Sequence, residues 1–130
     1  MTREQELVLL ERYPELFDRE ALPWDRTTGF TLQVDAAGWF DLIDNMCRRL
    51  TGIGGCIIHE MKEKVGELRV TCGGADDAVK HEIQMAQEQS RTTCQVCGGY
   101  GQLRMFPESL VATLCETCEA QLEQKLVKGI

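Results

Sequence analysis

Apolar residues recur along this chain in two rhythms, and the changes of rhythm mark out its elements. Thr2 stands three residues before Gln5, the pattern of a capping box, and Leu7, Leu10 and Val8 then make a short apolar stripe that Pro14 limits. Arg19 to Gln33 reads as irregular, with Pro23, Trp24 and the turn-like pair Thr28-Gly29. The clearest helix follows Asp35 and Gly38. Trp39, Leu42, Ile43, Met46, Cys47 and Leu50 repeat at helical spacing, Asp41, Asp44, Arg48 and Arg49 take the other face, and Gly52 supplies a stop. That stripe reads as core.

After Gly54-Gly55 the period falls to two. Ile57-Ile58 opens one strand, Leu68, Val70 and Cys72 alternate in a second, and the charged stretch Lys62 to Glu67 turns near Val65-Gly66. Gly73-Gly74 ends the hairpin. Asp76 and Asp77 then favour a helix N-terminus, with Val79, Ile83 and Ala86 inward and an end near Ser90. Glu116 to about Lys128 predicts a last helix with Ala120, Leu122 and Leu126 inward, Lys125 and Lys128 near its C-terminal end, and Gly129 after it.

Between these helices lies CQVCGGYGQLRMFPESLVATLCETC, residues 94–118. Cys94 and Cys97 form one CxxC pair, Cys115 and Cys118 another, and 17 residues separate the pairs. This is the spacing of a structural zinc site, in which each two-residue knuckle brings two sulfurs to one ion. Iron ligation shares that spacing. Gly98 and Gly99 follow where the chain must turn away, and the arm is long enough for a hairpin of Gln102 to Phe106 and Leu110 to Leu114, turning at Pro107-Glu108-Ser109. The expected fold class is therefore α+β. A small helix and β-hairpin core, residues 1–91, precedes a zinc-ribbon-like module with a C-terminal helix, residues 92–130.

Other chemistries fit less well. A thioredoxin-type centre leaves the second pair unexplained. The zinc-deaminase pattern pairs H-x-E with P-C-x-x-C, but here the histidines read HEM and HEI and Thr93 precedes Cys94. Neither histidine begins HExxH, and no phosphate-binding or dinucleotide fingerprint is present. Cys47, Cys56 and Cys72 read as buried free thiols, and His59 and His81 as ordinary structural or surface residues. The hairpin residues His59, Glu60, Lys62 and Lys64 read as a solvated face. No catalytic residue is expected, and a four-sulfur site leaves no position for a catalytic water.

Composition narrows the partners. The 130 residues carry a formal charge of -7, which opposes general nucleic-acid coating, although Arg91, Arg104, Tyr100 and Phe106 near the knuckle leave a local nucleic-acid contact as the alternative. There is no long uncharged apolar run, and MTREQELVLLER does not read as a signal peptide, so no membrane association and a reducing cytoplasm are expected. Seven cysteines, an odd number, also fit poorly with a closed disulfide framework.

The segments GWFDLIDNMCRRL, HEMKEKVGELRV and CQVCGGYGQLR…LCETC occur in an order that resembles a family of small, uncharacterised zinc-ribbon proteins of bacteriophages and prophages. The resemblance runs from about Gly38 to Cys118, and Cys118 stands where that family often places a histidine, an exchange of one zinc ligand for another. CQVCGGYG also matches the CxxCxGxG unit of DnaJ-type chaperones, but CETCEAQL lacks the glycines, so only knuckle geometry is shared. The phage resemblance implies an accessory protein in the host bacterial cytoplasm. The expectation is a non-enzymatic protein that binds a host protein complex, with inhibition of bacterial defence, as by an anti-CRISPR, as its task.

Overall fold

The computed structural model describes residues 1–17, 34–74 and 76–128, with side chains to residue 125. The irregular stretch expected at Arg19 to Gln33 falls wholly outside the described residues, as do Gly129 and the side chains of Leu126 and Lys128. The architecture mixes helices with two antiparallel hairpins. Helix α1 is Arg3–Arg12, a 3-10 turn Ala37–Trp39 leads into α2, Phe40–Ile53, and strands β1, Ile57–Lys64, and β2, Glu67–Gly73, form the first hairpin. Helix α3, Asp77–Ser90, precedes the second hairpin, β3, Gln102–Met105, and β4, Val111–Leu114, and α4, Glu116–Lys128, closes the chain.

Helices α1 and α3 begin with the caps their sequences supply. The Thr2 hydroxyl accepts from Gln5 N–H while the Gln5 side chain accepts from Thr2 N–H, a reciprocal capping box. Asp76 accepts from Val79 N–H at 3.0 Å and caps α3. Two expectations need correction. The inward face of α1 holds Glu6, Leu9 and Leu10, while Leu7 is exposed and Val8 half-buried. Tyr13 sets that rotation: its hydroxyl donates to Asp44 at 2.7 Å, Arg12 pairs with the same carboxylate at 3.1 Å, and residues 6, 9, 10 and 13 share one helical face. Helix α2 runs through Gly52 and stops at Gly54, which adopts the positive φ of 81° that closes the helix, its N–H donating to Leu50 O.

Trp39, Leu42, Ile43, Met46, Cys47 and Leu50 are buried as their spacing predicts, and Val79, Ile83 and Ala86 of α3 pack in the same cluster with Ile58, Met61 and Leu68 of the first hairpin. That hairpin turns at Val65 and Gly66, both at positive φ, and contains an irregularity between Ile58 and Glu60. A second, smaller cluster joins Cys94, Leu114 and Cys118, with Phe106, Ala112, Cys115 and Leu122 packed against it. On α4, Leu122 is half-buried, but Ala120 is exposed. The face of α4 turned toward the hairpin is set by Cys118 and Leu122, one helical turn apart.

None of the described helices is long and apolar enough to cross a membrane.

Candidate metal centre

Both knuckles are built by backbone hydrogen bonds that fold two residues into a tight turn. In the first, Gly98 N–H donates to Cys94 O at 3.0 Å and Cys94 N–H to Gly99 O at 2.7 Å, with Gly98 at φ 82°. A residue bearing a Cβ is strained at that angle. In the second, Glu119 N–H donates to Cys115 O at 2.9 Å, so the knuckle is also the first turn of α4. The β3–β4 hairpin spans the distance between them, turning through Pro107–Ser109 as the sequence predicts.

The four thiols expected as ligands come together. The sulfurs of Cys94, Cys97, Cys115 and Cys118 all lie within 4.8 Å of one another. Cys97 Sγ and Cys115 Sγ are 3.7 Å apart. A tetrahedral ion holding thiolates at about 2.3 Å sets its sulfurs roughly 3.8 Å apart. Gly99 N–H points at Cys97 Sγ and Cys118 N–H at Cys115 Sγ, each at 3.4 Å, as donors that stabilise bound thiolates. The donor set therefore fits a four-thiolate metal site. Zinc would be held by all four residues and would supply a rigid cross-link between hairpin and helix.

The electrostatics point the same way. Burial pushes the Cys94 thiol up, but the backbone N–H groups of Cys97, Cys115 and Val96, with the Cys97 thiol, outweigh it and bring it down to about 6. Gly99 N–H favours the Cys97 thiolate, yet the neighbouring thiols of Cys94 and Cys115 hold Cys97 above its usual range. Cys118 is raised by burial and by its three cysteine neighbours. Like charges at this spacing cannot accumulate without a cation between them.

The remaining thiols are elsewhere. Cys47 is fully buried in the α2 stripe and its thiol is raised by burial and Asp44. Cys56 is pushed up to about 12, first by burial and then by the Cys72 thiol. Both stay protonated as small core residues. His59 and His81 are exposed, and Lys62 pairs with Glu60 at 2.9 Å on the solvent side of β1. Arg91 pairs with Glu67 at 3.1 Å and Arg104 with Glu119 at 2.8 Å, so both arginines near the knuckle are already engaged.

Sequence reasoning missed how the centre is seated. Gln95, inside the first CxxC, is buried and bonds in four directions: its N–H to Thr113 O, its carbonyl from Gly38 N–H, its side-chain oxygen from Thr113 N–H at 2.7 Å, and its amide nitrogen to Asp35 O at 3.2 Å. Trp39 Nε1 donates to Thr93 O at 2.8 Å. Gly38 lies so close to the knuckle that a Cβ there would sit 2.3 Å from Cys94 O and 2.5 Å from Gly98 N. The Gly-Trp pair before α2 is thus the platform for the first knuckle. The sequence signals neither part of this seat: Gly38 reads as the approach to a helix, and Gln95 carries no mark of its burial.

No protein-family model, curated protein or solved structure matches this chain.

Proposed function

We propose that the protein is a non-enzymatic, zinc-stapled accessory protein of the phage type, which binds a host bacterial protein complex and inhibits bacterial defence in the manner of an anti-CRISPR. The observation that carries this reading is the closed donor set. Four thiols whose sulfurs lie within 4.8 Å of one another would fill every position of a zinc ion, which suits a metal there to holding the fold together rather than to activating water. The work of such a protein falls to its surface.

The engagement of the arginines favours a protein partner over nucleic acid. Phosphate binding draws on free cations, whereas Arg91 and Arg104 are neutralised by Glu67 and Glu119 on a chain of net charge -7. The test is affinity capture on the tagged, metal-loaded protein from bacterial lysate, followed by mass spectrometry, alongside titration with duplex DNA and RNA at rising salt. A stoichiometric protein complex, released by substitutions on the surface and not by nuclease, supports the reading. Salt-sensitive nucleic-acid binding with no protein retained overturns it. Elemental analysis separates zinc from iron.

A further inference from the structure

A strand at the border of a sheet exposes main-chain donors and acceptors, and folded proteins cover or charge such borders. This chain does so at three of its strands. The outer edge of β2 is met by α3: Leu68 N–H donates to the Ser90 hydroxyl at 3.0 Å and Val70 N–H to the Gln87 side chain at 3.1 Å. The edge of β4 is met by Gln95, which bonds both main-chain groups of Thr113. The edge of β1 is met by Leu16, whose carbonyl accepts from Ile58 N–H at 2.8 Å, and farther along it carries Glu60, Lys62, Glu63 and Lys64.

Among the described residues, nothing protects strand β3 in either way. Phe106 N–H bonds Leu110 O, so the even-numbered residues of β3 face β4 and the main-chain groups of Leu103 and Met105 point outward. Thr92 takes the outward N–H of Gly101; beyond it no other main-chain bond reaches this edge among the described residues. The side chains there are apolar and unusually exposed, Leu103 at 55% and Met105 at 82%. From Gln102 to Leu114 the charged residues are Arg104 and Glu108 alone, and Arg104 is tied to Glu119. The chain's net charge of -7 therefore lies away from this hairpin.

We propose that β3 pairs antiparallel with β3 of a second copy, across a twofold axis at Arg104, so that the two-stranded cysteine hairpins merge into one continuous sheet. Parity selects this register. Leu103 falls opposite the second copy's Met105, both with outward main-chain groups, so each residue exchanges backbone hydrogen bonds with its opposite number. The same pairing sets Leu103 against Met105 on one face, where apolar cross-strand pairs stabilise. Two strongly acidic copies meet at a hairpin whose own charges cancel, and although the register sets Arg104 opposite the second copy's Arg104, each guanidinium is held by its own Glu119 at 2.8 Å. A metal bound by the four thiols would support the arrangement by holding the hairpin rigid on α4.

The test is sedimentation equilibrium of the metal-loaded full chain over rising concentration. The mass is expected to move from 14.7 kDa toward twice that value. Concentration-dependent amide shifts are expected to centre on Leu103 and Met105. Met105→Lys puts a cation opposite the second copy's Leu103 at a position open to solvent in the single chain. Association should weaken about tenfold or more, with metal content and melting unchanged. Met105→Pro removes the outward N–H without adding charge and should produce the same loss. A mass constant at 14.7 kDa overturns the proposal, and so does a dimer indifferent to both substitutions, which would place the joint on another surface.

Discussion

Gly38 shows how much one residue decides here. Its missing side chain lets the backbone of the 3-10 turn lie against Cys94 O and Gly98 N, and its N–H reaches Gln95 O at 2.8 Å. Gly38→Ala inserts a methyl where backbone atoms stand 2.3 Å and 2.5 Å away, with no flexible side chain to yield. A loss of about 1–3 kcal/mol is expected, the range for overpacking a close-fitted site. Thermal melting of the metal-loaded variant should show it as a drop of several degrees, with metal stoichiometry intact because all four thiols remain. An unchanged melting temperature would mean that the turn and knuckle do not touch. This contact was not legible beforehand. Gly38 looked like the start of a helix, and its partner is more than fifty residues away in the chain.

Among the elements, the first hairpin carries a local conflict between sequence and backbone. Its two-residue turn requires positive φ at both positions, and Gly66 at 76° meets that without cost. Val65 sits at 54° with a branched, exposed side chain, the least suited kind for this region. Val65→Asn keeps the hairpin and relieves the strain, so urea unfolding should show a gain of about 0.5–2 kcal/mol with an unchanged m-value. A destabilised variant would show that Val65 is held there by packing. The turn itself was readable from the charged run around Val65-Gly66. Helix α1 was harder: four adjacent apolar residues, Leu7 to Leu10, allow more than one stripe, and Tyr13 and Arg12 binding Asp44 select Leu9 and Leu10. The final helix was found, yet its inward face was misjudged at Ala120, because Cys118 and not periodicity orients it.

Over the whole molecule, a metal held by the four thiols would join parts that hydrophobic packing alone would leave weakly tied. The cluster around Cys94 and Leu114 is small, while the larger one gathers α1, α2, α3 and the first hairpin. Structural zinc contributes folding free energy directly, on the order of 10 kcal/mol in small metal-folded units. Cys94→Ser or Cys115→Ser is therefore expected to lose the metal and melt the β3–β4 hairpin and α4. In hydrogen exchange, the amides of Gly38 and Thr113 should lose protection while those of α2 keep it. Full metal content with unchanged melting in both variants would refute a shared site. The sequence by itself determined what depends on near neighbours: the α2 and α3 stripes, the alternation of β2, the caps of α1 and α3, the hairpin turns, and the two knuckles with their four thiols. Only the tertiary structure decided how the knuckle sits on Gly38 and Trp39, why Gln95 is buried, which arginines are spent on ion pairs, and which strand edge the described residues leave uncovered. Those outcomes depend on groups brought together from distant parts of the chain, and where the partners are main-chain N–H and C=O groups, nearly the same at every residue, they leave no pattern in the residue order.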